Sequence, residues 1–410
     1  MPWRRRAPAP LAQRFKRVTF ASNEQQRPLL LALGLATFMV SLDARVVAPL
    51  LPAIATDFET SIARAGYVVS GYLLPYGLFQ LAYGPLADRF GKVRVSVYAM
   101  AAFSLGTALC GAFAAFWALL LLRALTGAAA AALIPLTIAY IGDTVPYAKR
   151  QAALAMLMAS SGAAQALSVS VGGAIAALLS WRAIFPILGA LSSLVTLHLA
   201  VCSKRELRVT WQPGTRRPGY RAALRSPLLP ILLLVAFEGC LFLGGFPYLS
   251  GLLEQRFRLG PLPIGLLLGG AGAAQLLAAR VLPRLLSHVT ERELLLLGGG
   301  LMGIAYLLSA WAPSFIWVGL ACALIGTGFS LCHSTIQTRA TEAFPGGRGT
   351  SLALFAFSLF LGSALGSVGF GALLERVGYR FTFGCAGLLL FVFTALSLVV
   401  LGGERLLEAE

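Results

Sequence analysis

Residues 116–140 read FWALLLLRALTGAAAAALIPLTIAY. A single charged residue, Arg123, interrupts an otherwise apolar run. About 20 apolar residues are enough for a helix to cross the hydrocarbon core of a bilayer. The run 314–337 has the same character. Working outward from these two, the chain holds ten more: 28–51, 65–86, 93–113, 152–179, 183–202, 227–250, 261–283, 294–311, 350–374 and 379–402. The expected fold class is all-α, an integral membrane protein of twelve transmembrane helices.

Composition points the same way. Of 410 residues, 58% are hydrophobic and 12% charged, and the mean hydropathy is +0.80. A soluble domain carries about 25% charged residues, so this chain lacks the polar surface to solvate a globule of its size. Disorder, a collagen-like fibre and a secreted disulfide scaffold are excluded as well. The six cysteines (Cys110, Cys202, Cys240, Cys322, Cys332 and Cys385) are scattered and show no metal-binding spacing. They read as small packing residues.

The net charge of +17, from 33 Lys/Arg against 16 Asp/Glu, would suggest nucleic acid in a soluble protein. No RNA- or DNA-reading motif accompanies it. The basic residues are instead expected in loops, where they orient spans and meet anionic lipid. With the N-terminus placed inside, 25 Lys/Arg fall on the inner side and 6 on the outer, Arg45 and Arg123 lying within spans. That bias predicts cytoplasmic termini. Residues 1–27 carry seven basic residues, and the apolar run after them is too long for a secretory signal and lacks a cleavage site. The longest polar segment between spans, 203–226, divides them six and six. The expected organisation is therefore a basic N-terminal segment (1–27), a six-helix bundle (28–202), a cytoplasmic linker (203–226), a second bundle (227–402) and a tail (403–410).

After span 2 comes Gly84-Pro85-Leu86-Ala87-Asp88-Arg89-Phe90-Gly91-Lys92-Val93-Arg94. A loop that only orients a span needs the basic residues. It needs neither an Asp nor glycines at fixed offsets, which suggest a tight turn. Asp88 has the chemistry to accept hydrogen bonds at a helix N-terminus. Here the sequence resembles the major facilitator superfamily, whose loop signature G-x-L-A-D-R-x-G-R/K is matched at Gly84, Leu86, Ala87, Asp88, Arg89, Gly91 and Lys92. Leu122–Gly127 resembles its R-x-x-x-G motif in span 4. Asp43–Pro52 looks like the first-span motif of the drug–proton antiporter branches, and Trp181–Phe185 like the usual start of span 6. One departure stands out. The antiporter G-P-x-x-G-G of span 5 is here Ser168-Val169-Ser170-Val171-Gly172-Gly173, with the Gly-Pro gone. The second half has only a poor copy of the loop motif, at Arg280–Leu286, without its acid.

The resemblance implies two pseudo-symmetric six-helix bundles with spans 1, 4, 7 and 10 lining a central cavity. The residues agree with that placement. Ionisable groups inside a bilayer are costly and usually face a cavity, and the deep ones fall on those four spans: Asp43 and Arg45, Arg123, Glu238 and His333. Asp43 lies about 12 Å below the outer end of span 1 and Arg123 about 10 Å below that of span 4, so a direct ion pair is expected. Arg45, about 200° around the helix from Asp43, snorkels outward or faces a neighbouring span. Asp43 is the candidate proton carrier, with Arg123 as its partner and Glu238 as a second candidate. The alternative for Asp43 and Arg123 is a permanent pair that fixes helix packing, and for His333 a hydrogen-bonded core histidine.

In the family the Asp88 loop gates the inner side. The resemblance implies that Asp88 meets the start of span 11 near Gly349 and Thr350, and that Arg89 or Lys92 pairs with Asp143. The alternative is a static loop. Candidates for lining a substrate cavity are Tyr72, Tyr76, Gln165, Phe237, Gln275, His333 and Gln337, which also fit as helix-packing groups. Gly265-xxx-Gly269 and Gly362-xxx-Gly366 read as close-packing surfaces.

There is no G-x-S-x-G, no HExxH and no Walker loop, so neither an enzyme nor an ATP-driven pump is expected. No cofactor or metal is called for. The expected partners are a small-molecule substrate, protons and the lipid bilayer, with a single chain sufficient as a monomer. The favoured function is proton-coupled export of small amphipathic molecules from a prokaryotic inner membrane. A proton symporter or facilitator for a metabolite, and a non-transporting receptor or sensor, are the alternatives.

Overall fold

A computed structural model describes residues 27–204, 220–285, 289–344 and 347–402. The expected N-terminal segment, save Arg27, the C-terminal tail and most of the 203–226 linker lie outside these residues. Among the described residues every regular element is helical. Span 1 comprises α1 (Arg27–Val46), a 3-10 turn (Ala48–Leu50) and α2 (Leu51–Asp57). A short α3 (Ile62–Ala65) leads into α4 (Tyr67–Phe90), which is span 2. Span 3 is α5 (Lys92–Leu109), and span 4 is α6 (Phe116–Ala130) with α7 (Leu133–Thr144). Spans 5 and 6 are α8 (Tyr147–Leu178) and α9 (Ile184–Cys202). After α10 (Tyr220–Leu224), span 7 comprises α11 (Leu228–Gly245), a 3-10 turn (Phe246–Tyr248) and α12 (Leu249–Phe257). Spans 8, 9 and 10 are α13 (Pro261–Leu285), α14 (Glu291–Trp311) and α15 (Phe315–Glu342). Spans 11 and 12 form α16 (Arg348–Gly402), broken at Gly378.

Nine stretches among the described residues are long and apolar enough to cross a membrane, and one of them, Arg348–Leu401, is 54 residues long. At 1.5 Å per residue that length crosses a bilayer more than twice, so it must turn, and it does at Gly378 (φ 75°). The helices α4 and α5 fall outside the nine because Tyr, Gly, Gln and charged residues dilute their apolar content. Twelve crossings fit this arrangement.

Proline sets the bends. Pro49 and Pro247 each lack an N–H and crowd the preceding turn, and each sits in the 3-10 segment that breaks its span. These two segments occupy equivalent places in spans 1 and 7, and they pack against each other. Two separate apolar cores follow. One is built from buried residues between 29 and 199 with Ala364, the other from buried residues between 223 and 401 with Val169. Large apolar side chains such as Leu121, Leu178, Leu194, Leu233 and Val399 remain exposed on the outside, as a lipid-facing belt requires.

Small residues let the halves approach. A Cβ on Gly173 would lie 2.8 Å from Gly265 Cα, and one on Gly77 would lie 3.0 Å from Phe360 Cβ. Spans 5 and 8, and spans 2 and 11, therefore meet almost backbone to backbone. Within the second half Gly362 and Gly366 abut the backbones of Ala236 and Cys240 on span 7. Tyr248 Oη donates to the Ser367 carbonyl (2.7 Å), and Ser367 Oγ donates to that of Gly66 (3.3 Å), tying span 11 to the start of span 2.

Candidate functional site

Two acid–base pairs lie inside the bundle, one in each half. In the first, Arg123 Nη1 donates to Asp43 Oδ2 at 2.8 Å, with the side chains 1% and 0% exposed. The Arg123 guanidinium lies 4.2 Å above the Tyr72 ring and 5.9 Å from that of Phe185. Among the described residues Asp43 Oδ1, Arg123 Nε and Tyr72 Oη have no hydrogen-bond partner. A buried polar atom left this way costs about 1–3 kcal/mol, so the cluster is satisfied only in part. Ser168 Oγ donates to the Leu42 carbonyl, and a Cβ on Gly172 would press on the Val46 backbone at 2.7 Å. The Ser168–Gly173 stretch thus seats span 5 against the segment of span 1 that carries Asp43.

In the second pair His333 Nδ1 meets Glu238 Oε2 at 2.8 Å. Glu238 is fully buried and the His333 side chain is 18% exposed. The imidazole stacks on Phe329 (4.5 Å) and packs against Phe355 (5.2 Å). Glu238 Oε1 has no partner among the described residues. Spans 1 and 4 therefore pair in one half as spans 7 and 10 do in the other.

Arg45 turns away from Asp43 toward the second half. Its Nη1 lies 3.5 Å from Gln275 Oε1 on span 8, and its guanidinium stands 5.9 Å from the Phe242 ring on span 7. It faces a neighbouring span rather than snorkelling outward.

The remaining candidates separate. Tyr72 is packed beneath Arg123, and Tyr76 stacks on Tyr72 (5.9 Å) and meets Phe360 of span 11 (4.5 Å). Phe237 packs on Phe393 of span 12. Gln165 is half-buried on α8, and Gln337 is exposed near the C-terminal end of α15. The loop motif is mostly helix: Gly84, Asp88 and Arg89 belong to α4, and the turn is Gly91 alone (φ 91°). A side chain there would be strained. Lys92 forms an ion pair with Asp143, while Arg89 stands over the Phe90 ring at 5.2 Å. Arg182 bonds Asp57 and the carbonyls of Gly111 and Phe113, clamping spans 1, 3 and 6 at one end of the bundle. The aromatic residues Phe242, Phe329 and Phe355 and the Tyr248 contact carry no sequence signal beyond their apolarity.

The profile of the Major Facilitator Superfamily matches residues 33–367. An uncharacterised MFS-type transporter of Bacillus subtilis, YceJ, is 28% identical over 340 residues, covering 80% of this chain and 85% of the relative. The multidrug export protein EmrB of Haemophilus influenzae is 31% identical over 186 residues, 45% of this chain and 36% of its own. Among solved structures, an inward-facing bacterial homologue of the human lysosomal transporter Spinster superposes with a TM-score of 0.76 at 18% identity, over 93% of this chain and 98% of the other.

Proposed function

This chain belongs to the Major Facilitator Superfamily, a transporter and not an enzyme, and on that premise we propose that it exports small amphipathic molecules in exchange for protons by alternating access. The observation that carries the reading is the buried Asp43–Arg123 pair joining spans 1 and 4, with one carboxylate oxygen left over. In the ionised state Asp43 neutralises Arg123 and holds the two cavity helices together. A proton taken at Oδ1 removes that attraction and lets the spans separate. Its release on the other side restores the pair. Export is supported by the partial similarity to a multidrug export protein. The Lys92–Asp143 pair beside the Gly91 turn supports a gate on the inner side.

The protein is expected to act as a single chain in an inner membrane, with both termini cytoplasmic and bundles at 28–202 and 227–402. The test is proton flux in proteoliposomes under an imposed pH gradient, with amphipathic compounds added in turn. Gradient collapse driven by such compounds and lost in Asp43→Asn is the expected result. Transport unaffected by Asp43→Asn across the pH range overturns the proton role. The missing Gly-Pro ahead of Gly172-Gly173 favours a second reading, a proton symporter or facilitator for a metabolite. Uptake of a polar compound together with protons would establish it.

A further inference from the structure

We propose that Arg45, with Gln275 and the ring of Phe242, forms the subsite for the negatively charged head group of the substrate, making the transported molecule an amphipathic anion. The inference rests on the exporter reading above and narrows its substrate class.

The charges inside the bundle carry the argument. Asp43 is held by Arg123, and Glu238 by His333. Arg45 has no acid within ion-pair reach among the described residues. Its acceptor is an amide oxygen at 3.5 Å, the far limit of a hydrogen bond. Asp43 does not serve it: the two lie about 200° apart around the span 1 helix, and the carboxylate points at span 4. A guanidinium within a membrane span is costly unless an anion compensates it. Here it is half-buried between the halves rather than directed to lipid or to the membrane surface. Such a group is preorganised for a carboxylate, sulfonate or phosphate, which it can bind through two parallel hydrogen bonds. The Gln275 amide offers N–H donors to the same anion.

The surroundings specify the rest of the ligand. From Arg45 the rings run without a gap: Phe242 lies 4.3 Å from Phe329, and Phe329 lies 4.5 Å from His333. Phe242 and Phe329 are themselves buried, so these rings back the subsite as an apolar wall, and an apolar body beside that wall would keep its charged end on Arg45. The subsite is thus cationic at Arg45 and backed by buried aromatic rings. An amphipathic cation would meet uncompensated like charge at Arg45.

The experiment uses the full-length protein in lipid nanodiscs with three pyrene probes of one shape: pyrenebutyrate, pyrenebutanol and pyrenebutyl-trimethylammonium. Binding is read by fluorescence, with empty nanodiscs as the blank, and flux is read in proteoliposomes. The expected result is pyrenebutyrate bound at least tenfold more tightly than the cation. Arg45→Gln should lower that affinity about tenfold or more, the scale of one charge-assisted hydrogen bond, and leave pyrenebutanol binding unchanged. Arg45→Lys should retain most of the anion preference. Thermal unfolding of Arg45→Gln at or above the wild-type midpoint excludes misfolding as the cause, because the substitution removes an uncompensated charge. Equal affinity for the three probes, or an anion preference that survives Arg45→Gln, overturns the assignment. If the cation binds best and drives proton movement, the exporter reading stands and the Arg45 subsite falls. Pyrenebutyrate bound through Arg45 without proton movement does the reverse. Binding of none of the three removes both.

Discussion

Asp43→Asn is expected to destabilise this protein more than the double variant Asp43→Asn/Arg123→Gln does. In the wild type the pair is 2.8 Å apart and essentially unexposed. Two unit charges about 4 Å apart at an effective dielectric constant of about 20 attract by about 4 kcal/mol. Removing one member of a buried pair costs about 3–5 kcal/mol, because the survivor stays buried without compensation. The two figures agree, and the geometry keeps the cost high. The Tyr72 and Phe185 rings brace the Arg123 guanidinium, so it has little freedom to swing toward water once its carboxylate is gone. In the double variant two neutral amides face each other across the same gap and can exchange a hydrogen bond worth about 0.5–1.5 kcal/mol. A double-mutant cycle should return a coupling energy of about 2–3 kcal/mol. The assay is equilibrium unfolding by SDS in mixed micelles, followed by circular dichroism on the four proteins of the cycle. Proton-driven flux is measured on the same preparations. The double variant should recover stability without recovering coupling, which separates the packing role of the pair from its proton role. Asp43→Asn as stable as the wild type, or a double variant as unstable as the sum of the singles, would refute the reasoning.

Glu238→Ala should cost about 1–3 kcal/mol by leaving the imidazole of His333 without its partner, while Glu238→Gln keeps a bond and costs less; the same unfolding assay compares them. Gly362→Val, which drives a side chain into the Ala236 backbone inside one half, should lose about 1–3 kcal/mol of stability or more by overpacking. Gly173→Val acts between the halves, against Pro261 and Gly265, and should slow flux more than it lowers stability. Asp143→Asn removes an ion pair whose carboxylate side is 59% exposed, so stability should change by less than about 1 kcal/mol. Turnover should fall if the pair gates the inner side, and unchanged turnover would leave it an ordinary surface contact.

The helices were legible because bilayer thickness imposes one length on all of them, and an apolar run of that length has few other fates. The turn at Gly91 was legible too, since a left-handed position between charged neighbours calls for glycine. Its extent was not. Gly84-Pro85 suggested a loop, yet α4 runs on to Phe90, because a proline is tolerated in a membrane helix whose neighbours re-satisfy the freed backbone groups. Depth counting brought Asp43 and Arg123 together, whereas the pairing of Glu238 with His333 was not expected from the sequence. Counted from the ends of their apolar runs, Ser250 and Ser314, these two lie about 18 Å and about 28 Å deep. The helix of span 7 in fact continues to Phe257, so the end of its apolar run is not the end of the rod. The Arg45–Gln275 contact was invisible for a different reason: it depends on how two halves dock, and nothing local in either span encodes that.

The two acid–base pairs are alike in composition and unlike in access, and under the proposed exchange mechanism the difference bears on which of them would couple protons to movement. His333 keeps 18% of its side chain exposed, so that pair is open with the helices where they are. Asp43 and Arg123 are sealed, and no proton reaches Oδ1 unless spans 1 and 4 part or their neighbours shift. A group that is accessible in one fixed arrangement does not oblige the protein to move. A group whose titration requires movement ties each proton to a conformational step, because charging the pair and closing it are the same event. Under the proposed mechanism that asymmetry makes Asp43, rather than Glu238, the proton carrier to test first. Arg45 sits two residues from Asp43 without competing for it: one face of span 1 belongs to the sealed pair, and from the other Arg45 reaches Gln275 and Phe242.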